Sequence, residues 1–264
     1  MPSLTPSLLT SISLNKGEKM NTKAESTSSP KRLARIAGIF YLLVAFFGGF
    51  AEGFGDPKMY AAGNAAATAA NVLADPGLVR MIVTAHLVNA IFFILTAMAF
   101  YILLQHVNKS VAMAMLICVA LSAGITTLNA VFQFEGLQVA TNSSYVDAFG
   151  AAGSNALVLL LLDIQHYGTL SAQVFFGLWL APLGYLAYKS GLFPKALGVV
   201  LVMAAISYLV QLLAAFLAPD FSKQVHGFLS ILPIIAEVWM LGYLLVVGVK
   251  TEKPDKRILA AASA

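Results

Sequence analysis

The sequence predicts an all-α integral membrane protein: a bundle of six transmembrane helices, with short interfacial helices in its two long outer loops. Only 11% of the 264 residues are charged and 59% are hydrophobic, whereas soluble domains average about 25% charged residues. Six segments are long and apolar enough to cross about 30 Å of hydrocarbon. This hydrophobicity excludes a chain that is disordered throughout.

The boundaries of the six predicted spans coincide with turn-forming residues. Asp56-Pro57 follows the first span, and Pro219-Asp220 separates the fifth from the sixth. The apolar runs do not alternate with polar residues, as the strands of a membrane β-barrel would. The spans are predicted at residues 36–55, 81–104, 110–138, 166–188, 194–218 and 224–249.

Two long loops are each predicted to contain a short helix at the membrane surface. In the first loop, Asn64 is a suitable N-cap for an Ala-rich helix, and Pro76-Gly77 is a suitable stop. The stretch 154–189 is too long for one perpendicular span. We therefore divide it into an interfacial helix at about 155–164 and a span that begins near His166.

The transmembrane domain is predicted at residues 33–250, between two cytoplasmic tails. Residues 1–32 are rich in Ser and Thr and too poor in apolar residues to pack, so we expect a disordered tail. Within this tail, Met20 offers an alternative start. Residues 251–264 form the predicted C-terminal tail.

The distribution of Lys and Arg predicts the orientation, because cytoplasmic loops carry an excess of these residues. One side has only Lys58, Arg80 and Lys223. We therefore expect both termini in the cytoplasm. The same sorting accounts for the net charge of +4, so the expected partner is the lipid bilayer and not nucleic acid. The other side has thirteen: Lys16, Lys19, Lys23, Lys31, Arg32, Arg35, Lys109, Lys189, Lys195, Lys250, Lys253, Lys256 and Arg257.

Polar residues recur within the spans at steps of three and four, which places them on one face of each helix. Examples are Asn129 and Gln133 in the third span. Such faces serve either as interhelical hydrogen bonds that specify packing or as the lining of an inward polar site. Gly49 and Gly53 form a GxxxG pair, which predicts a close helix–helix contact.

Glu237 is predicted to lie near the middle of the membrane, about 16 Å below His226 at 1.5 Å per residue. It is either a carboxylate that carries a proton or binds a ligand, or a protonated Glu that locks helix packing. One turn earlier, Pro233 removes a backbone hydrogen bond and frees a carbonyl. The expected partners of Glu237 are Asn129, Gln211 and Ser207.

Three histidines and three carboxylates are predicted to gather at the outer end of the bundle. Three histidines with a water form a known catalytic zinc arrangement, and two histidines can hold haem. No cofactor is predicted, and zinc or haem stay secondary alternatives. The group comprises Glu52, Glu135, Asp163, His86, His166 and His226, of which the histidines and Asp163 are the metal candidates.

Four segments of the chain resemble a known family. They are Lys31–Gly38 with Tyr41–Leu43, the loop Asn64–Ala74, the junction Tyr188–Gly198 and the terminal run Glu237–Lys250. Together they are similar to the bacterial domain of unknown function 4386 family. The resemblance implies a multi-pass protein of the bacterial cytoplasmic membrane. It implies no activity and transfers no catalytic residue.

The predicted function is therefore a membrane protein of unassigned activity, such as a carrier or sensor for a small solute or for protons. The alternatives are a metal-dependent intramembrane hydrolase and a non-enzymatic membrane scaffold. No P-loop, HExxH or GxSxG motif is present, and catalysis is not the favoured interpretation. The sequence predicts a small-molecule ligand and no particular oligomeric state. The candidate ligand or proton residues are Glu237, Glu135, Glu52, Asn129, Gln133 and Gln211.

Overall fold

The computed structural model describes residues 30–250, without the side chains of Lys223 and His226. Within these residues the chain is helical, with no strand, and six helices are long and apolar enough to cross a membrane. The first spanning helix continues from α1 through a π-helical segment into α2. The elements are α1 Pro30–Gly48, the π segment Gly49–Gly55, α2 Asp56–Met59, α3 Ala65–Ala74, α4 Pro76–Leu104, α5 Lys109–Thr141, α6 Ser143–Leu178, α7 Leu180–Ser190, α8 Lys195–Leu217 and α9 Pro219–Val246.

The predicted fold class is confirmed: the chain is an all-α bundle with six candidate membrane spans. The spanning helices extend beyond most of the predicted limits, because apolar faces continue into segments that were predicted to be loops. The predicted tails, apart from residues 30–32, lie outside the described residues. Residues 30–32 already belong to α1.

The spanning helices form a ring around a central space. Helix α1 packs against α4, α4 against α5, α5 against α6, α6 against α8, and α8 against α9, which returns to α1. Helix α7 continues α6 past Trp179 and packs on α8. We call the end that contains Lys31 and Gly248 the terminal end, since Gly248 lies against the Lys31 backbone. The opposite end is called the Asp56 end.

Helix α3 covers the Asp56 end and is the short helix that we predicted in the first long loop. Asn64 is its N-cap, and the Asn64 Oδ1 atom accepts a hydrogen bond from the Ala67 backbone N–H at 3.0 Å. Helix α3 ends at Ala74, just before Pro76-Gly77 as predicted, and Pro76 also begins α4, with Asp75 as the N-cap that accepts from Leu78 N–H at 2.8 Å. A proline suits this position, because the first turn of a helix has no partner for its N–H groups.

Helix α6 is continuous through the predicted boundary near His166. The chain does not divide between 155–164 and His166. The interruption lies at Gly150, whose φ of 69° favours glycine. Buried residues at positions 154, 158, 162 and 165 maintain one inward face across the predicted junction. This burial favours a single helix that presents Asp163 and His166 on successive turns.

Close helix contacts occur at a different glycine pair from the predicted one. A Cβ at Gly184 would lie 2.6 Å from the Gly198 carbonyl oxygen, and a Cβ at Gly198 would lie 2.7 Å from the Gly184 oxygen. Helices α7 and α8 therefore touch backbone to backbone at the terminal end. Gly49 and Gly53 have no atom within 4 Å of their Cβ positions, so this GxxxG pair is not a packing contact.

Candidate functional site

A cavity of about 290 Å³ lies in the ring of helices. All six spanning segments contribute side chains to its wall. Helices α1 and α9 touch closely near the terminal end, where a Cβ at Gly38 would lie 3.0 Å from the Leu244 Cβ. Along the cavity, Ile234 and Val238 of α9 are 61% and 63% exposed and still line the wall. The cavity therefore opens sideways between α1 and α9.

Glu237 of α9 lines this cavity between two tyrosines. The Tyr208 hydroxyl donates a hydrogen bond to Glu237 Oε1 at 3.0 Å, and the Tyr41 hydroxyl donates to Oε2 at 3.2 Å. Each carboxylate oxygen thus has one hydroxyl donor, from α8 and from α1. This pair of donors favours an ionised carboxylate, which opposes the cost of removing the charge from water.

The three partners that we expected for Glu237 have other contacts. Ser207 donates to the Leu229 carbonyl at 2.6 Å, and Gln211 Oε1 accepts from Ser230 at 3.0 Å. Asn129 packs against Gly168 so closely that a Cβ there would collide with its amide. The expected partners of Glu237 were therefore wrong. Sequence reasoning missed the two tyrosines, because a tyrosine in an apolar span is typical of a belt or core position.

The Ser207 hydrogen bond follows from Pro233, which lies inside α9. Proline has no N–H, so the Leu229 carbonyl four residues earlier loses its helical partner. The Ser207 hydroxyl of α8 replaces that donor. This contact gives the carbonyl freed by Pro233 a new donor, about two turns before Glu237.

Glu52 reaches the same cavity from the π segment of the first spanning helix. In this segment the Asp56 N–H bonds to the Ala51 carbonyl, five residues back. The wider turn displaces the helix just before Pro57, whose ring would crowd a regular helix. Glu52 is exposed towards the cavity and has no hydrogen-bond partner among the described residues.

Asn89 of α4 lines the cavity with an unpaired acceptor. The residue is 8% exposed, and its Oδ1 atom is buried without a hydrogen-bond partner among the residues that the structure describes. It packs beside Gly48, where a Cβ would lie 3.5 Å from Oδ1. A buried polar atom without a partner is unusual in a folded protein and indicates a place for a ligand or water.

A second polar cluster centres on Asp56, a residue that the sequence predicts to be part of a turn. Gln133 Nε2 donates to Asp56 Oδ1 at 2.8 Å, and Gln165 Nε2 donates to Oδ2 at 3.1 Å. His86 Nε2 lies 3.1 Å from Asp56 Oδ2, and its side chain is only 3% exposed. Donors from α4, α5 and α6 thus converge on one carboxylate, which ties the first spanning helix to the other three.

A second cavity of about 310 Å³ adjoins the central one, since Glu52, Thr169 and Gln173 line both. Tyr60 and His166 line it nearer the Asp56 end, with their rings stacked at 4.9 Å. The Tyr60 hydroxyl donates to Asp163 Oδ1 at 2.5 Å. Burial and this hydrogen bond raise the pKa of Tyr60 above its usual value, so the hydroxyl stays a donor at neutral pH.

The predicted outer group is divided between separate contacts. His86 faces Asp56, Asp163 accepts from Tyr60, and His166 stacks on Tyr60. Glu135 is exposed and lies outside the lining of both cavities, and the side chain of His226 lies outside the described residues. Among the side chains that the structure describes, which exclude that of His226, no three of His, Cys, Asp or Glu form a group that could hold a metal ion.

In the Asp56 cluster, sequence reasoning missed Asp56 itself and Gln165. Glu52 and Asp56 are four residues apart, so they share one face if the first helix continues. We interpreted the Asp56-Pro57 pair as the end of this helix, because an Asp-Pro pair usually marks a turn. On α6, Gln165 and Thr169 continue the buried face of Leu162 by steps of three and four. That buried face was the signal that could have identified Gln165.

The six long apolar helices and the polar centre of the ring define the chain as a multi-pass membrane protein. It belongs to the family described as domain of unknown function DUF4386, whose model matches residues 36–248. This confirms the resemblance seen in the sequence. No curated protein and no solved structure is significantly similar to the chain.

Proposed function

We propose that the protein is a carrier or sensor for a small solute, with a proton on Glu237 linked to ligand binding in the central cavity. The observation that carries this proposal is Glu237 between Tyr41 and Tyr208, beside the empty volume of the cavity. A carboxyl group used only for packing would have its oxygens enclosed by neighbouring groups. Here one side of the carboxyl remains open to a ligand.

The titratable groups around Glu237 come from few elements. Among the described residues that line the cavity, they are Tyr41 of α1, Glu52 of the π segment and Tyr208 of α8. Helices α4, α5 and α6 supply only neutral residues to this lining, such as Asn89, Ser122 and Gln173. Loss or gain of a proton on Glu237 therefore changes the cavity charge directly. Such a change is what a proton-linked carrier or a pH-linked sensor requires.

The proposal includes a bacterial cytoplasmic membrane, cytoplasmic termini and access to the cavity from the outer face. The uneven distribution of Lys and Arg supports this orientation. The second cavity supports the access route, because it extends from Glu52 towards Tyr60 and His166 at the Asp56 end.

Accessibility to a charged thiol reagent tests this route. Gln173→Cys in a Cys118→Ser background should react when a membrane-impermeant reagent is added to the outer face of the cell. Ile117→Cys is the matched control, since Ile117 is 51% exposed on the outside of the ring and should face lipid. Reaction of the Gln173→Cys variant only from the cytoplasmic face would overturn the proposed orientation.

Thermal unfolding with a panel of small solutes at several pH values tests the function. A ligand that binds only the folded state stabilises it by about 2.7 kcal/mol at 100 times its Kd. We expect at least one solute to stabilise the wild type in a pH-dependent way and to lose this effect in Glu237→Gln. Glu135→Gln is the control, because Glu135 lies outside the cavity. If no solute depends on Glu237, and the variant only unfolds more easily, the proposal is wrong.

A further inference from the structure

The charged side chains that line the central cavity are both acidic. Glu52 and Glu237 both line it, and no Lys, Arg or His of the described residues does. Two carboxylates in a site of low dielectric repel each other and are costly to keep ionised. His86, which acts on Glu52 from outside the lining, is paired with Asp56. A cationic ligand would relieve both costs. Charge therefore favours a cation over an anion or a neutral solute.

Aromatic rings and apolar side chains form much of the remaining wall. Phe93 and Phe176 line the cavity together with Tyr41 and Tyr208. The face of an aromatic ring attracts a cation, and the attraction is stronger where water is excluded. Hard inorganic cations instead need about six oxygen ligands that converge at one point. The mixture of carboxylates and rings suits an organic cation better than a metal ion.

Asn89 adds a third requirement for the ligand, which is a hydrogen-bond donor. Its buried Oδ1 atom has no donor within the described part of the protein. A protonated amine brings N–H groups that this acceptor can bind, whereas a quaternary ammonium group has none. The volume of about 290 Å³ is at the lower limit of small-molecule pockets, so the ligand is small.

We propose that the cavity binds a small protonated amine with an apolar substituent, its ammonium group between Glu52, Glu237 and Asn89. This proposal rests on the proposed function, since it names the ligand class of the same site. The apolar substituent faces the aromatic wall and the lateral opening beside Ile234 and Val238. Such a ligand can enter from the bilayer or through the second cavity.

Binding of benzylammonium to the purified protein tests the ligand class. Isothermal titration should show binding near neutral pH, and benzyl alcohol, which lacks the charge, should bind at least about tenfold more weakly. Benzyltrimethylammonium keeps the charge but has no N–H, so it should bind more weakly than benzylammonium. Replacement of Asn89 by Leu should reduce that difference, because only the two carboxylates then accept the N–H groups.

The variants Glu237→Gln and Glu52→Gln should each weaken benzylammonium binding by about tenfold or more. Glu52→Gln keeps the test valid if Glu237→Gln does not fold, because Glu52 has no hydrogen-bond partner among the described residues. Glu135→Gln should bind like the wild type. Equal binding of benzyl alcohol, or full displacement of benzylammonium by Na⁺ alone at similar concentration, would overturn the amine assignment.

The two proposals fail in different ways. If benzylammonium does not bind but another solute class stabilises the wild type and not Glu237→Gln, only the amine assignment is wrong. If no solute depends on Glu237, both proposals are wrong.

Discussion

Asp56 and Glu237 are both carboxylates within the helix bundle, but they are used differently. The oxygens of Asp56 are met by His86, Gln133 and Gln165, from three helices. Those of Glu237 are met by only two tyrosine hydroxyls, although both carboxylates line a cavity. A carboxylate whose acceptor sites are occupied by fixed donors from three helices holds those helices together. One with fewer donors and a cavity beside it can exchange a proton or bind a ligand.

The largest effect on stability should come from removal of the Asp56 carboxylate. Asp56→Ala leaves an imidazole and two amides without their acceptor, so we expect the unfolding free energy to fall by about 3–5 kcal/mol. Unfolding in detergent, followed by circular dichroism, measures this loss. Asp56→Asn keeps one acceptor oxygen and should lose less. A loss below about 1 kcal/mol for Asp56→Ala would contradict the structural role.

The two tyrosines that donate to Glu237 should contribute less to stability than Asp56 does, and more to ligand binding. Tyr208→Phe and Tyr41→Phe each remove one hydroxyl donor, at a cost of about 1–2 kcal/mol. Without that donor the neutral acid is favoured, so the pH dependence of ligand-induced stabilisation should move to higher pH. Thermal shifts over a pH series measure both effects. If the pH dependence is unchanged in both variants, the proton linked to ligand binding is not carried by Glu237.

The hydrogen bond that replaces the donor missing at Pro233 should have a smaller effect. Ser207→Ala leaves the Leu229 carbonyl without a donor and should cost about 0.6–1 kcal/mol. Pro233→Ala in the same background restores a backbone N–H for that carbonyl, so it should recover the loss. A double-mutant cycle measures the coupling. Additive effects would show that Ser207 does not replace the missing donor.

The smallest effect concerns Tyr60, at the edge of the second cavity. Its pKa is raised from 10.0 by burial and by the hydrogen bond to Asp163. A raised folded-state pKa means that the stabilising contribution is complete below about pH 10 and is lost as the pH rises further. Tyr60→Phe should therefore show a weaker loss of stability above about pH 10 than the wild type. Parallel curves for the two proteins in alkaline unfolding experiments would contradict this.

Much of the fold could be predicted because hydrophobic length and turn residues are local properties. The Asn64 N-cap and the six spans are examples. Local signals failed where a proline or a glycine had a different role in context. Pro57 follows a π-helical turn instead of ending the helix, and no neighbouring described atom lies within 4 Å of the Cβ positions of Gly49 and Gly53.

The candidate site was predictable only in part. Glu237, Glu52 and the polar face of α5 could be selected from the cost of placing charged and polar groups in a membrane. Their partners could not be selected, because Tyr41 and Tyr208 resemble ordinary core aromatics in the sequence. The separate contacts of His86 and His166 could not be predicted either, because they depend on the packing of helices that are distant along the chain.

The sequence by itself determined the class of protein, since a chain with so few charges must bury its surface in lipid. It also determined the number of spans, because each needs about twenty apolar residues. Only the tertiary structure decided which carboxylate receives donors from three helices and which receives two hydroxyls beside the central cavity. That distinction depends on donors and empty volume contributed by several helices, and no local pattern specifies how those helices rotate and pack.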